Sequence, residues 1–297
     1  MDGPVRYSVA LFLICLSLFF QSAQARVETE KVFKINLLSI SEPFMLSPHD
    51  MTLTPDGMYL VITDMGNDRI LLLDPLKLTL QAIIGEDELS VPHDVAFDGQ
   101  GRLLVADSGN DRIVMYRLEG TKAILIDTWD GIDGPEGITS APDGRVFIAA
   151  TLEHHVLSMK NGKIEKAVGR AWGKDLDRPH DVEIQPTDKG YNVITSDPGN
   201  NRLVVFDQDF APQYEISTWD PPFSEPKYFS RDEEDRLYIA DQYNHVVRVF
   251  DKDATPLISF ADRHVKLPEG VLAKGNRVWV SDSDGGRVLL YELAEKQ

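Results

Sequence analysis

Cysteine is nearly missing from this 297-residue sequence: there is one, Cys15, inside an apolar run near the N-terminus. Its scarcity excludes a disulfide framework and a thiol nucleophile for the rest of the chain. Stability must come from a buried core, which about 270 residues can supply. Basic charge is also short. Forty-eight acidic residues stand against 30 basic ones, giving a formal charge of -18, and no Lys/Arg cluster forms a basic stripe. Nucleic acid is therefore not an expected partner, because phosphates need a positive surface. Long hydrophobic runs are limited to one. Arg6 precedes the apolar stretch from Val9 to Phe20, which is followed by Ala23-Gln24-Ala25. The stretch is too short to cross a bilayer comfortably, and the small residues suit cleavage before Arg26. Residues 1–25 read as a secretory signal peptide, with an uncleaved anchor as the alternative. Residues 26–297 then form one secreted or periplasmic domain with no membrane span. Also absent are a nucleophilic Ser or Cys motif, a phosphate-binding glycine loop and a dinucleotide fingerprint.

What is present is repetition. Pro-His-Asp occurs at Pro48 to Asp50, Pro92 to Asp94 and Pro179 to Asp181, and variant copies follow the same register at Pro135-Glu136-Gly137, Pro226-Lys227-Tyr228 and Pro268-Glu269-Gly270. The second residue of the triplet reads His49, His93, Glu136, His180, Lys227, Glu269, at steps of 44, 43, 44, 47 and 42 residues. A period of this size filled with short strands marks propeller blades. In the second copy, Asp94 to Asp98, Arg102 to Ala106, Arg112 to Arg117 and Ala123 to Thr128 read as four strands. Asp-Gly pairs at Asp56-Gly57, Asp98-Gly99 and Asp143-Gly144 suit the first hairpin. A cassette at the second hairpin, such as Asp64 to Arg69 and Asp107 to Arg112, reads as structural, its acid accepting backbone N–H groups and its Arg crossing to a neighbouring blade. The last copy ends one strand short. Val32 to Ile40, with Phe33, Ile35 and Leu37 alternating against Lys34 and Asn36, is expected to complete the sixth blade and close the ring. The fold class is all-β, a six-bladed β-propeller.

Together, the proline that opens each repeat, the apolar strand ending in Asp and the Gly-Asn-x-Arg that follows resemble the NHL repeat, over about residues 45 to 293. Among propellers with such repeats, the Pro-His positions resemble those of the peptidyl-alpha-hydroxyglycine alpha-amidating lyases. That resemblance implies a catalytic zinc on the axis and carries over to His49, His93 and His180. It departs in two ways: these histidines come from blades one, two and four, and no arginine, tyrosine or cysteine here matches the rest of the lyase pattern.

Read from the residues themselves, six first strands that begin near one mouth bring six side chains around a common axis. Three His with Glu136 and Glu269 suit a divalent transition metal, zinc first. The alternative is an inherited structural role, each imidazole hydrogen-bonded to a loop or to water. Lys227 and Tyr228 are candidate catalytic groups, as an anion holder and a proton acceptor or hydrogen-bond donor. His154 and His155, which replace the cassette in blade three, and Trp129 in a link between blades are candidate substrate contacts. Two other readings stay open. One is a non-catalytic platform binding a protein, peptide or glycan; the other is a calcium-dependent, lactonase-like hydrolase centred on Glu136 and Glu269, which three imidazoles disfavour. The leading expectation is metal-dependent lyase or hydrolase chemistry on a small polar or peptide substrate at the channel mouth.

Overall fold

The structure, a computed structural model, describes residues 33–217, 219–260 and 263–295. The expected leader and Val32 lie outside them.

Six four-stranded antiparallel sheets form the blades; five are laid out in simple sequential order from inner to outer strand, and the sixth takes its outer strand from the start of the described chain. Blade 2, for example, is built from Pro92–Phe97, Arg102–Asp107, Arg112–Glu119 and Lys122–Asp130. The second strand of a blade is covered on both faces and reads as a continuous apolar run; Val146–Ala150 and Leu60–Asp64 are buried at every position. Outer strands such as Lys163–Val168 are almost wholly exposed. Apolar side chains gather in six clusters, one at each junction between neighbouring blades. Val61, Ile70 and Leu72 of blade 1 meet Val95, Leu103 and Val105 of blade 2, and Leu60, Ile62 and Leu71 meet Trp279, Val288 and Leu290 of blade 6. Six junctions for six blades means the ring is closed.

Closure uses the strand expected for it. Phe33–Ile40 pairs antiparallel with Arg287–Glu295, from Phe33 opposite Glu295 to Ile40 opposite Leu289, as the outermost strand of blade 6. One detail of the first hairpins differs from the sequence reading. In blade 2 the left-handed residue is Gly101, at φ +75°, rather than Gly99, because Asp98 accepts the N–H groups of Gln100 and Arg102 and lengthens the turn.

The cassette is structural, as read. Asp107 is fully buried and accepts three hydrogen bonds, from Ser90 N–H at 2.7 Å, Asn110 Nδ2 at 2.9 Å and Arg112 Nε at 2.7 Å. Asp64, Asp197, Asp241 and Asp282 repeat this in their own blades. The Arg does not cross to a neighbouring blade as its main bond; it closes on the Asp of its own blade. Blade 3 has Ala150 there instead, and its turn is free of the clamp.

Candidate functional site

Five of the six inner strands begin with a proline, the fourth starting at Val182 just after Pro179, and in those five the pairing slips within the next few residues, as between Pro48 and Met51 or Pro92 and Asp94. An extra residue at this point breaks the in-out alternation, so two consecutive side chains meet the axis. The first makes an upper ring of His49, His93, Glu136, His180, Lys227 and Glu269. The second makes a lower tier of Asp50, Asp94 and Asp181 with Tyr228; the remaining places are Gly137 and Gly270. A Cβ on Gly137 would lie 2.6 Å from the Asp181 Cα, and one on Gly270 would lie 2.5 Å from the His49 carbonyl oxygen, so the neighbouring inner strand requires glycine there.

Entry to the ring is strained in a repeated way. Ser47, Val91, Arg178 and Glu225, each just before the proline, take φ of 51°, 50°, 59° and 55°, a region that non-glycine residues seldom occupy. Two of these residues show what the conformation does. His49 Nδ1 bonds the Ser47 carbonyl at 3.0 Å, and His93 Nδ1 bonds the Val91 carbonyl at 2.9 Å. A carbonyl only accepts, so Nδ1 carries the proton in both and Nε2 keeps its lone pair.

Those lone pairs face the ring carboxylates. His49 Nε2 lies 3.8 Å and His180 Nε2 3.6 Å from the same Glu269 oxygen, while His93 Nε2 is 3.9 Å from Glu136. His180 Nδ1 pairs with the other Glu136 oxygen, and His180 Nε2 is buried with no hydrogen-bond partner. The imidazole rings of His49 and His93 are 4.8 Å apart and those of His93 and His180 6.1 Å, both edge to face. Burial pushes His49 down and His93 down to about 4, which keeps them neutral. Burial acts the same way on His180, but the Glu136 carboxylate outweighs it and raises this imidazole. Glu136 and Glu269 are held low against their own burial, Glu136 chiefly by His180 and Glu269 chiefly by His49.

The other expected residues fall in several places. Lys227 joins the ring, 3.9 Å from Glu225. Tyr228 is fully buried beneath it. Its ring stands 4.8 Å from His180 and 6.2 Å from His49, and its hydroxyl donates to the His93 carbonyl at 3.3 Å, so one side chain braces all three histidines. Burial drives its hydroxyl far above the ordinary tyrosine range, which suits a brace and not a proton acceptor. His154 is exposed on the rim and accepts the Arg178 N–H at 3.1 Å. His155 Nδ1 bonds the Glu153 carbonyl and its ring lies against Gly169. Both line a groove of about 580 Å³ with Arg170, Asp175, Leu176 and Asp177, to one side of the axis. Trp129 is not in a link. It belongs to the outer strand of blade 2, packs on the core between blades 2 and 3, and lines a different groove with Asp98, Asp127 and Lys160.

Three features lie outside the expected set of site residues. Thr151 donates to the Pro179 carbonyl at 2.6 Å, just before His180, and Gln242 bonds Glu269. Asp50, Asp94 and Asp181 bring carboxylate oxygens within 4.8 Å of one another, the one set of three metal-ligating side chains this close among the described residues. The imidazoles stand wider and need to turn inward to share an ion. Asp94 and Asp181 already accept backbone N–H groups from the next blade, of Ile138 at 2.6 Å and Phe229 at 2.8 Å, whereas Asp50 keeps one buried oxygen without a partner.

Known proteins place this architecture. A family profile described as "Lactonase, 7-bladed beta-propeller" matches residues 77–282. NHL repeat-containing protein 3 of Mus musculus is 32% identical over 110 residues, 34% of this chain and 31% of that protein; the Homo sapiens protein of the same name is 30% identical over 138 residues, 44% and 38%. The matched stretches thus span about a third of those relatives, and the repeat is of NHL type. Among solved structures, a gluconolactonase of Xanthomonas campestris superposes with a TM-score of 0.67 at 18% identity, covering 88% of this chain and 90% of that one. Virginiamycin B lyase of Staphylococcus aureus superposes with a TM-score of 0.60 at 13% identity, covering 88% and 100%. At such identities these structures share the fold. The profile match extends over more than half of the sequence: the chain belongs to the family described as lactonase, 7-bladed beta-propeller, and builds it with six blades.

Proposed function

We propose that this protein is an exported, metal-dependent hydrolase or lyase whose reaction takes place at the upper ring, with His49, His93 and His180 as ligands of a divalent transition ion, zinc first. The observation that carries this is the fixed tautomer: His49 and His93 each tie Nδ1–H to a backbone carbonyl two residues back, which leaves Nε2 as a donor toward the axis, and His180 adds a buried Nε2 that makes no hydrogen bond and lies 3.6 Å from Glu269. Glu269, buried and shared between His49 and His180, completes the donor set. The likeness to lactonases and to a lyase in sequence and fold agrees with this chemistry, and so does the resemblance to the amidating lyases.

Bound there, the ion supplies Lewis acidity, polarising an oxygen or acidifying a water. The rest is done by the chain. Glu136 is the ring carboxylate most open to solvent and is held by His180, so it takes the proton released in the reaction. Lys227, on the other side of His180 from Glu136, stabilises negative charge that develops on substrate oxygen. Tyr228 braces the imidazoles from below.

A calcium-centred reading draws on a separate observation, the aspartate triad. Its weakness is oxygen supply: calcium takes six to eight oxygen ligands, and the oxygens of Asp94 and Asp181 are already engaged with backbone N–H groups. Elemental analysis of the purified protein separates these readings. About one equivalent of transition metal is expected, and it should fall sharply in His93→Ala. No stoichiometric transition metal after supplementation without chelator would overturn the proposal; calcium in its place would move the chemistry to the triad.

A further inference from the structure

The rim above the ring departs from its own repeat in a patterned way. The tight turn after each second strand has glycine at its middle position in three blades, Gly66, Gly109 and Gly199, and Asp284 in blade 6. Blades 3 and 5 place Leu152 and Tyr243 there, and these side chains are 71% and 57% exposed. Blade 1 supplies a third apolar group from its entry link, Leu46, 56% exposed. Each of the three is the sequence neighbour of a residue that bonds at the ring: Leu46 precedes Ser47, whose carbonyl holds His49; Leu152 follows Thr151, which donates to the Pro179 carbonyl just before His180; Tyr243 follows Gln242, which holds Glu269. Blades 1, 3 and 5 alternate around the axis. Three exposed apolar groups therefore stand at even intervals around a polar well.

Large apolar side chains left in water where a repeat offers glycine call for a ligand that covers them. A flat protein partner would engage one side of the rim, whereas a collar spaced around the axis suits something rising out of the well. We infer that the substrate is a small amphipathic molecule, with a polar oxygen-bearing head seated among the histidines and an apolar chain or ring held by Leu46, Leu152 and Tyr243. This rests on the axial reading proposed above.

Straight-chain hydroxamic acids from two to eight carbons provide a metal-binding head with a graded tail, and their binding to the zinc-loaded protein is measured by calorimetry. Kd is expected to fall about two- to fourfold for each added methylene, as burial of apolar area dictates. In the double variant Leu152→Ser with Tyr243→Ser this dependence should flatten while acetohydroxamate binding is unchanged. Leu125→Ser, on an outer strand, should alter neither. Acetohydroxamate binding with no gain from chain length would overturn the rim inference and leave the metal reading standing. A gain that persists in the double variant would place the tail elsewhere and overturn the inference as well. If no member of the series binds, both readings fall.

Discussion

At the scale of single residues, the decisive groups are acids that never meet water. Asp107 satisfies three donors from three different segments: the link into blade 2, the turn and the following strand. Truncation leaves a buried backbone N–H, an amide and a guanidinium unpaired, and such losses cost roughly 1–3 kcal/mol each when no water replaces the partner. Asp107→Ala is expected to destabilise the protein by about 3 kcal/mol in urea titrations, and Asp107→Asn to recover part of that. A change below about 0.5 kcal/mol would show that the cassette acid is dispensable, as Ala150 shows it to be in blade 3. Tyr228 makes the complementary case. It touches His49, His93 and His180 but exposes nothing to a substrate, so Tyr228→Phe should keep metal content and turnover within a fewfold while lowering stability by about 1 kcal/mol. Loss of turnover with metal retained would return the hydroxyl to the reaction.

At the scale of the strand and the hairpin, legibility divides along a physical line. Period, strand order and the closing role of Phe33–Ile40 are properties of chain patterning, and the Pro-His-Asp register exposed them directly. The bulge that follows the proline in five of the blades left no such trace, because alternation alone aims either His or Asp at the axis and not both. The lower tier of Asp50, Asp94 and Asp181 was for that reason invisible as a cluster, and so was the burial of Tyr228 beneath the three histidines. Trp129 was misplaced through a boundary: its strand runs to Asp130, two residues beyond the expected end at Thr128. The closing strand also yields a measurable expectation. Phe33 packs with Tyr238, Val278, Val280 and Tyr291, and without its strand the row Arg287–Glu295 becomes an open sheet edge over an exposed core. Removal of residues 1–40 should give aggregated protein on size exclusion, and Ile35→Asp a monomer weakened by about 2–3 kcal/mol. A soluble truncated monomer of unchanged stability would mean that the ring does not depend on this latch.

At the scale of the whole molecule, an acidic protein of formal charge -18 concentrates further carboxyls along its own axis. Glu183 lies two residues beyond Asp181 on the inner strand of blade 4. Burial, reinforced by the charge of Asp94, pushes it up to about 8, and burial likewise lifts Asp94 to about 6 and Asp50 and Asp181 well above the ordinary range. In the unfolded chain Glu183 loses its proton near 4.5. Between that value and about 8 the folded protein holds more protons than the unfolded one, so stability declines as pH rises through this window and levels off above it. His93 acts in the opposite sense: it stays neutral down to about 4 in the fold, whereas the free imidazole protonates near 6.5, so stability is lost as pH falls between those values. The two slopes place the optimum on the acid side of neutrality. Glu183→Gln removes this residue's share of the alkaline slope without emptying the site. It is expected to gain about 1–2 kcal/mol over the parent protein at pH 8.5 and close to nothing at pH 5, by chemical denaturation at both. Equal stability of the two proteins at pH 8.5 would show that Glu183 ionises freely and that the channel is wet at that depth, which would also weaken the case for neutral aspartates beneath the histidines.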